Sequence, residues 1–328
     1  MTEKKIWITD HKDFGDLEQK ILGDKAQIIH LNLTEITSHP EKHKNLVGIL
    51  NWHSPLNRNL LRILSDCKFI VRCGTGFDNV DLVAAKENGI LVSNIPDYGV
   101  SEVADSASAL ILSQIRQIKF FEKNIQNDFN LWTKPSSFGL NRSSNHSLGL
   151  IGFGRIGSAV AYRMKNFNID IGFYDPYVPA GIEKVYSLKR YETLSELVQN
   201  STIISLHAPL TSETRGIISR ELVTTFNPGT ILVNTARGAL IDNELTIFEG
   251  LKSEQISFFA TDVYFEEPLN NDSDLIREWK SQTKLGSRIT ITPHVAYYSK
   301  QSLKELREKS AKNMLRFLSG ITPLNILN

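Results

Sequence analysis

Cysteine is scarce in this chain, with two residues in 328, Cys67 and Cys73. They lie close together around an apolar run, without the spacing of a metal-ligand set. Reduced thiols in a reducing compartment are the reading, which excludes a disulfide scaffold and points to the cytoplasm. Long apolar runs are missing as well. No span of about eighteen apolar residues is present, so no transmembrane helix is expected. The opening residues, MTEKKIWITD, turn polar after three apolar residues, too few for the core of a signal peptide. Net charge is almost absent, at +1. A polyanion held by bulk electrostatics is thereby excluded, and neither direct nucleic-acid nor membrane binding is expected. No internal repeat or low-complexity tract breaks the pattern.

What is present is ordinary globular material at generous length. A hydrophobic fraction of 41% against 22% charged residues suffices for sizeable cores. At 328 residues two domains are the natural expectation. Short apolar runs at 5–9, 26–33, 46–51, 69–73 and 90–93 alternate with helical stretches such as 60–65 and 82–88. A turn signal, Pro96-Asp97-Tyr98-Gly99, precedes a helical pattern from 100 to 127. Its first part, 103–115, is too apolar for a helix covered on one side only. A polar stretch, 132–146, then leads into a second alternation. Its strands are 148–153, 169–174, 202–207, 230–234, 258–262 and 289–292, with helices at 156–164, 194–199, 220–226 and 243–251. A last helix, 299–318, is expected to pack back on the first module. The class is α/β: two Rossmann-like or flavodoxin-like doubly wound parallel-sheet domains with an active-site cleft between them.

The most telling stretch is SLGLIGFGRIGSAVA, residues 147–161. An apolar strand runs into Gly152, Gly154 and Gly157 and then into a helix, the G-x-G-x-x-G pattern in strand–turn–helix context. Gly152 permits the tight turn, Gly154 lets the backbone approach a pyrophosphate, and Gly157 lets helix and strand pack closely. The helix N-terminus offers free N–H groups to phosphate. Asp175 ends the next strand about twenty residues on, where it accepts from an adenosine ribose hydroxyl and repels a 2′-phosphate. No arginine follows in DPYVPAG, so the expected cofactor is NAD rather than NADP.

Three further strand ends turn from apolar to polar. ILVNTARG places Arg237, ATDVYFEEPL places Asp262, Glu266 and Glu267, and ITITPHVAYYS places His294. Open α/β sheets bind ligands at such carboxyl ends. The set suits hydride transfer between nicotinamide and a small 2-oxo acid. Arg237 can pair bidentately with a carboxylate. His294 can donate and accept a proton near neutral pH. Glu267 can hold the imidazole and favour its protonated form.

NTARG, DVYFEEP and TPHVAYYS resemble the three catalytic motifs of the D-isomer-specific 2-hydroxyacid dehydrogenases, and the likeness runs from about residue 67 to 320, VRCGTGFDNVD included. GTGFDN, ADS, YDPY and LVNTARG are most similar to the C-terminal-binding proteins, the corepressor-like branch. The resemblance implies that Arg237 binds substrate, His294 is the acid/base, and Glu267, which precedes proline, is its partner. It implies that Gly74, Thr75 and Gly76 offer amides to the substrate carboxylate, and that Arg72 and Tyr297 face the substrate. Thr75, Gly152, Gly154, Arg155, Ile156, Gly157, Asp175, His207, Thr235, Ala236 and Asp262 fall at dinucleotide-contact positions, with Asp262 on the nicotinamide side. Residues 1–98 with 296–328 would then be the substrate-binding domain and 99–295 the NAD-binding domain. Members commonly form homodimers through the region of 103–115.

The chain departs from the family in places. SNHS, residues 144–147, replaces the usual Gly-Lys turn before the glycine strand, and the polar loop 269–288 is long, with room for a helix at 275–280. Tyr297 stands where the corepressors carry tryptophan. The leading expectation is an NAD-dependent D-2-hydroxyacid dehydrogenase, equivalently a 2-oxo acid reductase, with no metal. The alternative is an NAD(H)-sensing, corepressor-like binding protein with little turnover. Formate-type chemistry pairs the histidine with glutamine, and Glu267 argues against it.

Overall fold

Every strand of this chain is followed by a helix that carries the backbone back to the starting edge, so the strands can only pair in parallel. A computed structural model describes residues 3–132, 139–269, 273–281 and 283–328. They form two compact units, Met1–Gly99 with Tyr298–Asn328, and Val100–Tyr297. Part of the polar stretch 132–146, and part of the loop 269–288, lie outside the described residues.

The first unit has five strands: β1 (Lys5–Ile8), β2 (Gln27–His30), β3 (Leu46–Asn51), β4 (Phe69–Arg72) and β5 (Leu91–Asn94). Their order is β2-β1-β3-β4-β5, the flavodoxin-like sequence. Trp7, Ile49, Phe69 and Ile70 are fully buried, as expected when helices cover both faces. The C-terminal helix, Lys300–Leu318, belongs to this unit and packs on Asp16–Leu22, β3 and β4. Arg307 of that helix holds the buried Glu18 through two 2.7 Å contacts and Asp16 at 2.6 Å. Its guanidinium also lies over the Phe14 ring.

The second unit has seven strands: β6 (Ser147–Ile151), β7 (Asp170–Tyr174), β8 (Lys189–Arg190), β9 (Ile203–Leu206), β10 (Thr230–Asn234), β11 (Ile256–Thr261) and β12 (Ile289–Ile291). The order β12-β11-β10-β9-β6-β7-β8 starts in the middle, runs to one edge, then returns to build the other side. The direction reverses between β6 and β9, which is the ligand-binding switch point of such sheets. Strands β9 and β10 are buried at every residue.

Two local expectations change. The strand expected over 26–33 ends at His30, because Asn32 accepts from the Glu35 amide at 2.7 Å and caps the helix Leu33–Ser38. The single helix over 100–127 is two, Val100–Ile115 and Ile118–Asn127. Gln117 between them takes a left-handed φ of 52°. Lys119 and Lys123 then reach the carbonyls of Ile289 and Ser281, which turns the second helix toward β12. The polar 269–288 loop carries a helix at Asp274–Lys280.

Candidate active site

The turn after β6 is shaped by what its glycines forbid. Gly152 has a φ of 93°, and a Cβ there would stand 2.7 Å from the Ala208 amide. At Gly157 a Cβ would overlap the Gly152 carbonyl, so glycine alone lets the helix Arg155–Met164 start this close to its strand. Gly154 is the opposite case. A Cβ there would meet nothing within 4 Å, leaving open space over the amides of Gly154, Arg155 and Ile156. None of these three amides has a partner among the described residues. The site is therefore a row of unpaired donors at a helix N-terminus, the arrangement that binds phosphate.

Asp175, at the end of β7, is tied into this turn. One carboxylate oxygen accepts from the Phe153 amide at 2.8 Å and the other from the Tyr177 amide at 2.9 Å. Sequence reasoning missed Arg190. It approaches from β8 and donates to the carbonyls of Asp175, Val178 and Pro179 at 3.2–3.4 Å, so its fork is occupied beneath the loop. Folding of β8 against β7, rather than any nearby motif, brings it there. His207 follows β9 and lies against Gly152. Burial pushes its imidazole down to about 4, and Ser205 is its ring partner at 2.9 Å. The ring is therefore neutral at neutral pH, and the His207 backbone, not the ring, is what meets Gly152.

The polar residues at the ends of β10, β11 and β12 converge within the second unit. His294 Nδ1 lies 2.6 Å from a Glu267 carboxylate oxygen, and the other oxygen accepts from the Tyr264 amide at 2.7 Å. Burial would push the Glu267 carboxyl up. Its hydrogen bond to His294, the imidazole's charge, the Tyr264 amide and Arg237 together hold it below the ordinary carboxylate range. Arg237 stands close enough to act on that carboxylate, and one of its nitrogens donates to the Ala236 carbonyl at 2.7 Å. His294 itself has a φ of 54°, an uncommon conformation held by amide bonds to the Asp262 and Thr292 carbonyls at 2.8 and 3.0 Å. Tyr297 sits edge-on to it, with centroids 6.5 Å apart.

Asp262 is the organiser of this loop. Its carboxylate, almost fully buried, accepts from the Thr292 hydroxyl, the Val295 amide and the Ala296 amide at 2.5–3.0 Å. Two more positioning residues lie inside the NTARG motif, where sequence reasoning assigned them no role. Asn234, fully buried, accepts from the Ala236 amide and donates to the Arg237 carbonyl, shaping the turn that presents Arg237. At Gly238 a Cβ would overlap the Tyr264 carbonyl, so the Arg237 turn can rest directly on the segment leading to Glu267. Thr235 adds a buried hydroxyl with no hydrogen-bond partner, an acceptor and donor left for a bound group.

In the first unit, Arg72 ends β4 and Gly74–Gly76 follow it. Gly74 has a φ of 145°, and the Arg72 guanidinium folds over it to reach the Cys73 carbonyl. The loop is pinned by the Ile95 amide on the Gly74 carbonyl and by Asn94 on the Thr75 carbonyl. The Gly74 amide, expected to be offered to substrate, is instead taken by the Arg72 carbonyl at 2.9 Å. That leaves the amides of Thr75 and Gly76, which have no partner among the described residues, as the donors a carboxylate could take. Cys67 and Cys73 are both buried and free, with thiols pushed up to about 12 by burial, so they take no part in chemistry near neutral pH.

A family model for the NAD-binding domain of D-isomer-specific 2-hydroxyacid dehydrogenases matches residues 108–296. The chain belongs to this family. It is 30% identical over 96% of its length to a hydroxypyruvate reductase of Blautia hydrogenotrophica, of which 96% is covered. It is 32% identical over 99% of its length to a D-3-phosphoglycerate dehydrogenase of Methanocaldococcus jannaschii, and spans 59% of that longer protein. Among solved structures it is similar to a D-lactate dehydrogenase from Aquifex aeolicus complexed with NAD and lactic acid. The TM-score is 0.85 and the identity 27%, with 96% of each chain covered. The second unit is thus an NAD-binding domain of the family, and its residues fit the group. Unpaired amides suit the pyrophosphate, the anchored Asp175 a ribose, and the orphan Thr235 hydroxyl the far end. Among the described residues no helix is long and apolar enough to cross a membrane.

Proposed function

We propose that this protein reduces a small 2-oxo acid to the D-2-hydroxy acid, and runs the reverse oxidation, with NAD(H). The observation that carries the reading is the His294–Glu267 pair with Arg237 acting on the same carboxylate. Asp175 would accept from the adenosine ribose, and Gly152, Gly154, Arg155, Ile156 and Gly157 would hold the pyrophosphate. His207, Thr235, Ala236 and Asp262 would line the rest of the dinucleotide, with the acceptor capacity left on Asp262 available to the carboxamide. NADH, when bound, supplies the hydride. Arg237 holds the substrate carboxylate through its fork. In this reading the amides of Thr75 and Gly76 share that task, and Arg72 and Tyr297 border the substrate. The proton leaves His294 Nε2 for the carbonyl oxygen, while Glu267, on Nδ1, fixes the tautomer and holds the charge that remains.

The test is NADH-dependent reduction across glyoxylate, pyruvate, hydroxypyruvate and larger 2-oxo acids. Turnover with at least one is expected, giving the D product. Tight NADH binding without turnover on any member would favour the NAD(H)-sensing, corepressor-like alternative. A homodimer belongs to the same reading. Phe129 and Trp132, beyond the Val100–Ile115 helix, are 80% and 72% exposed, apolar side chains that a partner subunit would cover. Light scattering should return twice the chain mass.

A further inference from the structure

Two loops flank the glycine turn, and a side-chain contact joins them. Tyr177 stands two residues beyond Asp175 and is 73% exposed, yet its phenol donates a hydrogen bond to Glu213. Both ends of this contact are braced. The Tyr177 amide is held by Asp175, and the carbonyls around it by Arg190. Glu213 rides on a turn in which the Thr211 amide reaches the Thr214 hydroxyl at 2.8 Å and that hydroxyl donates to the Pro209 carbonyl at 2.5 Å. Tyr177 follows β7 and Glu213 follows β9, and in the sheet these strands lie on either side of β6. A contact between the two loops therefore spans the carboxyl end of β6, where the glycine turn presents its unpaired amides.

We propose that Tyr177 and Glu213 form a clasp over the adenosine half of the bound dinucleotide, positioning residues that set how fast it leaves. The inference rests on the assignment of the glycine turn and Asp175 to NAD. A ribose on Asp175 and a pyrophosphate on the turn leave the adenosine beneath the bridge. Glu213 also holds the phenol in its protonated, donating form, chiefly through their hydrogen bond. An exposed hydrogen bond of this kind adds little to folding stability, so its effect is expected in nucleotide exchange rather than in melting.

The experiment is stopped-flow NADH fluorescence, with ADP-ribose and nicotinamide mononucleotide as part-ligands. It uses the full chain and its Tyr177→Phe, Glu213→Gln and double variants. Each single variant should bind NADH and ADP-ribose about 3- to 10-fold more weakly, with the change in dissociation rate. The double variant should be no worse than either single one, the mononucleotide unaffected, and Tm unchanged. Asp175→Ala serves as the control, weakening NADH and ADP-ribose and narrowing the preference for NADH over NADPH. Unchanged dissociation in both clasp variants while Asp175→Ala weakens binding would overturn the clasp and leave the cofactor site standing. Losses that multiply in the double variant, or a fall in Tm with Kd unchanged, would overturn it too. A parent chain that binds no NADH would overturn the site assignment itself.

Discussion

At the scale of single residues, the proposed reaction turns on one imidazole and the carboxylate bonded to it. His294→Gln should lower kcat by roughly 10²–10⁴, the usual loss for a general acid/base, with NADH affinity retained. Steady-state kinetics beside fluorescence binding checks both halves. The Glu267 carboxyl lies below its ordinary range, so the anion persists as pH falls and keeps its hold on Nδ1. Glu267→Gln removes that charge, and the pH profile of the reduction should move toward acid. An unmoved profile would separate the pair. These residues were legible in the sequence because each ends an apolar run and matches a motif. Asn234 and Thr235 lie in the same run, but no spacing rule separates the buried amide that shapes the turn from the hydroxyl left without a partner. Burial and pairing are properties of the folded chain.

At the scale of elements, the strands were readable and the junctions were not. β10, expected over 230–234, has those bounds, because the three apolar residues Ile231, Leu232 and Val233 between turn signals have few alternatives as a central strand. The helix over 100–127 broke at Gln117 for a reason outside its own sequence. Lysines of its second half bind carbonyls near β12, and the helical period of the segment carries no trace of that pull. The Gly238 contact is similar, since only folding brings Tyr264 against it. Gly238→Ala should push the Arg237 turn off the Tyr264 backbone, costing about 1–3 kcal/mol of stability. A drop of at least about tenfold in kcat/KM should accompany it, the equivalent of 1.4 kcal/mol. Tm and oxo-acid kinetics on one preparation would show both. A variant with normal kinetics would mean that the turn is not held from that side.

For the whole molecule, acid is the condition that bears on the NAD-binding unit. His207 has an imidazole at about 4 in the folded chain against about 6.5 for a free side chain. Between those values the unfolded chain binds the extra proton and the folded one does not. The contribution of this imidazole to stability is therefore complete above about pH 6.5 and falls away with acidification until about pH 4. His207→Gln should flatten that fall, losing about 2–4 °C less in Tm between pH 7 and pH 5, as calorimetry across pH would measure. Equal slopes in parent and variant would place the acid sensitivity elsewhere.

The α/β class, the glycine turn, the family and the residue types at the strand ends are all written in the order of the amino acids. Those depend on local patterns: apolar period, glycine spacing, and short motifs that one stretch of backbone presents. Tertiary structure alone decided that Asp175 clamps the Phe153 amide, that Arg190 lies under its loop, and that Asp262 spends most of its carboxylate on the His294 loop. It also decided that Tyr177 reaches Glu213 across the end of β6. Each of these joins residues from different strands, and their distance is set by sheet order, which no local pattern encodes.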